Sequence, residues 1–291
     1  MKQVPASLLT LIAGIVITLI SLWVGQNHGL MPVQASEQAP LVDNFFNTMV
    51  TIATALFLIV QGAILLFAIK YRQRSGDETD GVPIEGNLNL EILWTAIPAL
   101  IVIGLSILSV DVYQRMGGFS VGGTIMAHHH SATLVAQMSD KANPVTRKTP
   151  PTYGLTGTDQ TEAKAPEMVI NVTAMQYAWI FNYPESGIIS GELHIPVGKD
   201  VQINLAAQDV IHSFWIPQFR LKQDVLPGEK STLRFVATKT GTFPIVCAEL
   251  CGSYHGSMRT QVIVHTPEEF KQWLAENSAT TAANPATHPS A

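Results

Sequence analysis

Charge is what this sequence has least of. Only 13% of its 291 residues are Asp, Glu, Lys or Arg, about half the ~25% usual in a soluble domain. That shortage excludes a mainly disordered chain, which would be charge-rich and poor in aliphatics. Cysteine is scarcer still, with two residues, too few for a small disulfide-built scaffold. The basic excess that phosphate binding needs is also missing. The formal net charge is −5, so nucleic acid is excluded as a partner.

The low charge is local. It reflects three uncharged stretches, residues 8–24, 45–69 and 92–110, of 17, 25 and 19 residues. At ~1.5 Å per residue the second and third span roughly 38 and 28 Å, enough for a ~30 Å hydrocarbon layer. They read as a two-helix transmembrane hairpin within residues 41–115. Residues 1–35 read either as a signal peptide or as an extra membrane helix. Lys2 precedes the apolar stretch, and Val33-Gln34-Ala35 has the small-residue spacing of a signal peptidase site. Lys70, Arg72 and Arg74 crowd the exit of the second stretch, whereas residues 25–44 contain no Lys or Arg. The positive-inside rule then puts the 70–91 loop in the cytoplasm and everything after about Val112 outside it.

Residues 117–166 contain 6 Gly, 4 Pro, 3 Ser and 8 Thr, which marks 116–166 as a flexible linker or insert. Its His128-His129-His130 run reads as solvated loop, since consecutive residues cannot all aim at one ion without strain. From residue 167 the texture changes to short runs of Val, Ile and Phe bounded by turn residues. Strands are expected at 167–173, 176–183, 191–195, 200–205, 231–237, 242–247 and 259–265, forming an antiparallel sandwich or barrel. A helix then follows, opened by a Thr266-x-x-Glu269 capping box with Pro267 in its first turn. The β domain is drawn as 167–276, with 277–291 as a disordered tail.

Both cysteines fall in one run, Cys247-Ala-Glu-Leu-Cys251-Gly-Ser-Tyr-His255-Gly-Ser-Met258. Thiolate and thioether are soft ligands and imidazole is intermediate, a mixture that suits copper. A mononuclear blue-copper site needs two His, one Cys and a weak Met. Cys251, His255 and Met258 supply three of these, and His212, 35 residues before Cys247, is the candidate for the fourth. Cys247 is then one thiolate too many for a single ion. Two thiolates with two His and two weak donors can hold a pair of copper ions sharing both sulfurs. A Cys247–Cys251 disulfide and a Cys2His2 zinc site are the rival readings; the first leaves His212, His255 and Met258 unused, the second leaves Met258 idle. His194 and His265, at strand ends, read as structural or solvated.

The run Cys247-Ala-Glu-Leu-Cys-Gly-x-x-His-x-x-Met258 resembles the binuclear copper A signature of cytochrome c oxidase subunit II, in the haem-copper terminal oxidase family. The likeness extends to the two membrane helices, to Asp209-Val-Ile-His212-Ser and to Asp224-Val-Leu-Pro-Gly228. It implies a cupredoxin-like fold for the β domain, with His212, Cys247, Cys251, His255 and Met258 as side-chain copper ligands and Glu249 as a backbone carbonyl ligand. The Glu249 carboxylate would help hold magnesium or manganese at the boundary with subunit I. Glu91, in Glu91-Ile-Leu-Trp94-Thr-x-x-Pro98, matches the glutamate near a proton-channel mouth; its bland reading is a helix-start carboxylate.

The family often reads Gln-Trp-x-Trp in its aromatic strand, the first Trp receiving electrons. Here Gln176-Tyr177-Ala178-Trp179 stands in that place, so Tyr177 and Trp179 are the entry candidates. The resemblance implies a bacterial energy-transducing membrane, with the copper domain on its periplasmic or lumenal side. Electrons would come from a soluble cytochrome c-type donor or small copper protein and pass to haem in subunit I for oxygen reduction coupled to proton pumping. Subunit III and membrane lipid are the other implied partners. No Cys-x-x-Cys-His occurs in the chain, so the donor is separate, and the chain is an enzyme only as part of a complex. The rivals are a membrane-anchored copper carrier, a quinol oxidase subunit II, which normally lacks the copper ligands, and a thiol-disulfide protein.

Overall fold

The computed structural model describes residues 5–73, 76, 81, 83, 85–116, 152–154 and 165–282. The His128–His130 run and residues 283–291 lie outside them. The chain divides into two compact units, residues 1–31 with 41–112, and residues 32–40 with 113–291.

In the first unit, α1 (Ala6–Asn27), α2 (Ala39–Lys70) and α3 (Leu88–Arg115) are each long and apolar enough to cross a membrane by length and composition. The first apolar stretch is therefore a full helix, and it packs on α2. Ser21 is buried, and a Cβ added to Gly25 would collide with Thr51 Oγ1 and lie 3.0 Å from the Asn47 carbonyl. Only glycine lets the two backbones approach so closely. Below this contact His28 Nε2 and Asn47 Oδ1 are 2.8 Å apart. Asn87 opens α3, its side-chain oxygen accepting the Leu90 N–H at 3.2 Å. Glu91 sits in the first turn of α3, where a carboxylate meets the positive end of the helix dipole.

The second unit is a sandwich of two sheets. Its strands among the described residues are β1 (Thr152–Gly154), β2 (Met168–Met175), β3 (Ala178–Tyr183), β4 (Ile188–Ser190), β5 (Leu193–Pro196), β6 (Asp200–Ala207), β7 (His212–Ile216), β8 (Leu221–Val225), β9 (Lys230–Val236), β10 (Gly241–Cys247) and β11 (Arg259–His265). One sheet runs β1-β9-β6-β2-β3-β4 and the other β5-β11-β10-β7-β8. Alternation along β2 and β6 sends Ile170, Val172, Val201, Ile203 and Leu205 inward to meet Phe214, Ile216 and Ile245 of the facing sheet.

The pairing is not purely antiparallel as the strand pattern suggests. β2 pairs with β6, β5 with β11 and β1 with β9 in parallel. These neighbours are not consecutive in the chain, so the intervening strands carry it across the sandwich and back in the same direction. β1 also places a short strand inside the segment read as linker.

Residues 32–40 form a strap on this sandwich. The Ala35 N–H donates to the Gln218 carbonyl at 3.0 Å, the Ala35 carbonyl accepts the Thr238 N–H at 2.9 Å, and Ser36 Oγ donates to the Phe219 carbonyl at 2.8 Å. Ala35 is fully buried. The Val33-Gln34-Ala35 tripeptide is thus part of the folded β unit. At the other end, α4 (Pro267–Ala282) starts with the expected capping box. The Thr266 N–H donates to Glu269 Oε2 at 2.8 Å and the Glu269 N–H to Thr266 Oγ1 at 3.3 Å. α4 continues six residues past the Glu276 boundary drawn from sequence. Trp273 of α4 stacks on His194, whose Nδ1 lies 2.9 Å from His265 Nε2.

Candidate metal centre

Three adjacent strands gather the ligands. β7 and β10 are antiparallel with Cys247 opposite Phe214, which sets the end of β10 beside His212 at the start of β7. β10 and β11 pair Val246 with Arg259, and the Cys247 N–H donates to the Met258 carbonyl at 3.1 Å. Sheet register alone thus brings His212, Cys247 and Met258 to one end of the sandwich. The loop 248–257 closes over them with Cys251 and His255. Gly252, at φ +136°, turns this loop where a side chain would be strained, and a Cβ there would lie 2.5 Å from the Tyr177 hydroxyl.

Both cysteines are free and buried. Their sulfurs stand 3.9 Å apart, far beyond the ~2.05 Å of a disulfide. Cys247 Sγ is 3.8 Å from His212 Nδ1 and 3.3 Å from the Glu249 carbonyl oxygen. Cys251 Sγ is 3.5 Å from His255 Nδ1 and 3.7 Å from Met258 Sδ. His212, His255, Met258 and the Glu249 carbonyl, all named from sequence, therefore converge on the sulfur pair of Cys247 and Cys251. Among the described residues, His212, Cys247 and Cys251 form a group whose ligand atoms all lie within 4.8 Å of one another. A metal–thiolate bond is about 2.3 Å, so an ion can touch both sulfurs at this separation.

The surroundings orient the ligands. His212 Nε2 is 2.8 Å from Asp209 Oδ1. With the carboxylate accepting that N–H, the Nδ1 lone pair faces the sulfurs, the tautomer a metal requires. Asp209 is itself held by the N–H groups of Gln176 and Val210, each at 2.7 Å. Burial pushes the Asp209 carboxyl up, but the bonds from His212, Gln176 and Val210 outweigh it and bring its pKa down to about 2. The Gln176 side-chain amide donates to the Cys251 carbonyl at 2.6 Å, and the Ala248 N–H to the Ser213 carbonyl at 2.9 Å. Burial, then the neighbouring Cys247, pushes the Cys251 thiol up to about 11. Without metal, this thiol keeps its proton at neutral pH.

Residues 21–112 match the family described as "Cytochrome C oxidase subunit II, transmembrane domain", and residues 188–265 match "Cytochrome C oxidase subunit II, periplasmic domain". Cytochrome c oxidase subunit 2 of Thermostichus vulcanus is 62% identical over 292 residues, covering 97% of this chain and 89% of its own. The chain belongs to the cytochrome c oxidase subunit II family. The subunit 2 of a Synechocystis strain is 50% identical, covering 95% of this chain and 84% of its own. The crystal structure of the periplasmic domain of subunit II from Bradyrhizobium japonicum is 29% identical, covers 40% of this chain and 96% of its own, and superposes with a TM-score of 0.38. A subunit II chain with these helices is a membrane protein with a periplasmic β domain and a component of an oxidoreductase complex. The family implies a copper centre, and the buried soft-donor cluster described above fits that metal.

The other site residues named from sequence fare differently. Trp179 is 2% exposed, its ring edge-on to Phe214 at 5.3 Å and 6.1 Å from His212. It approaches the site from the core, so an incoming protein cannot touch it; Tyr177 is half-buried and does reach the surface. Glu249 is exposed. Glu91 is exposed at the start of α3, in the other unit. Sequence reasoning did not single out Asp209 or Gln176 as supports of the ligands. Asp-x-x-His at the ligand was the available signal for Asp209; Gln176 acts across 75 residues and left none.

Proposed function

We propose that this chain is the electron-entry subunit of a respiratory terminal oxidase, holding two copper ions between His212, Cys247, Cys251, His255, Met258 and the Glu249 carbonyl. The convergence of the other four donors on the free, buried sulfur pair of Cys247 and Cys251 is the observation that carries the reading. Copper bound there supplies a one-electron acceptor that is also a one-electron donor. The chain's own part is to keep every ligand still in both redox states. Strand register fixes His212, Cys247 and Met258, Asp209 locks the His212 ring, and Gln176 ties down the Cys251 backbone. Burial keeps water from the sulfurs.

The electron comes from a soluble cytochrome c-type protein or small copper protein on the periplasmic side, enters near Tyr177, and leaves to haem in subunit I. Trp179 packs behind His212 and serves the site from within. The exposed Glu249 carboxylate takes part in a magnesium or manganese site at the subunit I boundary. Glu91 serves at a proton-channel mouth, and subunit III and lipid complete the surroundings. A carrier that gives up its copper would need accessible ligands, and His212, Cys247, Cys251 and Met258 are all buried.

The test is rapid mixing of the purified complex with a reduced cytochrome c-type donor. Copper is expected to be reduced before haem. In a Cys251→Ser complex the donor should reduce neither at a comparable rate. Haem reduction that precedes copper reduction, or survives that substitution unchanged, would overturn the reading.

A further inference from the structure

The N-terminal segment carries two conflicting signals. Lys2, an apolar stretch and Val33-Gln34-Ala35 stand in the order of a cleaved export signal. Yet α1 is 22 residues long, roughly 33 Å at ~1.5 Å per residue, whereas the apolar core of such a signal runs to about 15 residues. The structure around its C-terminal half decides between the two.

That half is shaped to α2. Ser21 is 1% exposed and turns its hydroxyl back to the Ile17 carbonyl at 2.7 Å, so it asks nothing polar of its neighbour. One turn on, Gly25 leaves the space that Thr51 and the Asn47 carbonyl occupy. The Leu30 N–H donates to His28 Nδ1 at 3.0 Å. The ring proton is then on Nε2, which donates to Asn47 Oδ1. The His28 ring also meets Phe46 edge-on, with centroids 5.4 Å apart. Residues 21, 25 and 28 share one helix face, and close packing of small residues is how membrane helices associate. A segment discarded on export has no use for such a fit.

The sequence-predicted cleavage point lies in the strap. A cut after Ala35 would strip the Gln218 carbonyl and the Thr238 N–H of their partner, since both bond to Ala35. It would also remove the Pro32 carbonyl, which accepts from Arg220 Nη2. The new α-ammonium would fall on Ser36, which is 2% exposed and bridged to the fully buried Ala237. Burying a charge there is costly, whereas the neutral peptide it replaces is hydrogen-bonded.

We infer that the mature chain keeps α1 as a third membrane helix, docked on α2 through Ser21, Gly25 and His28, with Val33-Gln34-Ala35 a strap and not a cleavage site. Lys2 then holds the start of α1 on the cytoplasmic side. The strap follows on the periplasmic side, with the sandwich it binds. The copper ligands take no part in this.

Intact-mass measurement and N-terminal sequencing of the subunit from the purified wild-type complex test retention. A chain that begins ahead of Ala6 is expected. A start at Ser36, or anywhere from α1 onward, overturns the inference. Gly25→Leu tests the docking. It should lower the thermal midpoint of the complex by roughly 5 °C, the effect of overpacking a tight contact. Failure of this variant to assemble counts with a lowered midpoint. An unchanged midpoint overturns the docking, whatever the N-terminus.

Discussion

Asp209 and His212 stand 2.8 Å apart, carboxylate to Nε2, and this one contact decides which imidazole nitrogen is left for the metal. The carboxylate also places a negative charge behind the ring. Asp209→Asn keeps an acceptor but removes the charge. Copper affinity should fall about 10- to 100-fold, the usual cost of disturbing a ligand's support. The reduction potential should rise, since the oxidised site loses electrostatic help. Copper titration and potentiometry check both, and unchanged values would show Asp209 to be a bystander.

Met258 contributes a thioether from a fully buried position. Met258→Leu conserves volume, so its packing cost should stay below about 1.5 kcal/mol. Both coppers should remain while the potential shifts, because the thioether is a weak donor. Complete loss of metal from this variant would mean that Met258 carries far more of the binding than its chemistry suggests.

Copper uptake should depend on pH. Thiolate is the ligand, and burial together with Cys247 holds the Cys251 thiol up at about 11. Binding must therefore expel a proton throughout the neutral range. Apparent affinity should fall roughly tenfold for each unit by which the pH is lowered, for each proton displaced. Competition titrations between pH 6 and 8 would measure the slope, and a flat profile would contradict a protonated resting thiol.

The His194–His265 pair predicts a separate acid sensitivity. Burial, and then His265, lowers the His194 pKa from 6.5 to about 4, with Glu192 acting in the other direction. A folded value below the unfolded one means that the unfolded chain takes up protons first as pH falls. The stabilisation is complete above about pH 6.5 and is lost as pH drops through that value towards 4. Thermal unfolding of the purified chain across this window should show the decline, and His194→Gln should flatten it. An equally steep decline in the variant would move the effect elsewhere.

How much of this was legible in the sequence depended on distance along the chain. The run from Cys247 to Met258 is contiguous, so its soft-donor chemistry could be read directly, and the Thr266–Glu269 capping box is equally local. His212 could be named because its Asp-Val-Ile-His setting is distinctive. The strap at Ala35 could not be read, because its hydrogen bonds go to Gln218 and Thr238, some 200 residues away. Strands β7 and β8 were missed for a related reason. β7 is only five residues long and starts on the ligand itself, so no alternation builds up before the chain turns. The parallel pairings reflect sandwich topology, which strand periodicity does not encode.

The proposed function requires one pair of sulfurs to be shared by two copper ions. Metal analysis of the purified complex, combined with electron paramagnetic resonance of its copper signal, tests it most directly. Two coppers are expected at this site, with the unpaired electron split equally by both nuclei, and Cys247→Ser should abolish that sharing. A single copper or a zinc at the site, or a shared signal that survives Cys247→Ser, would contradict it.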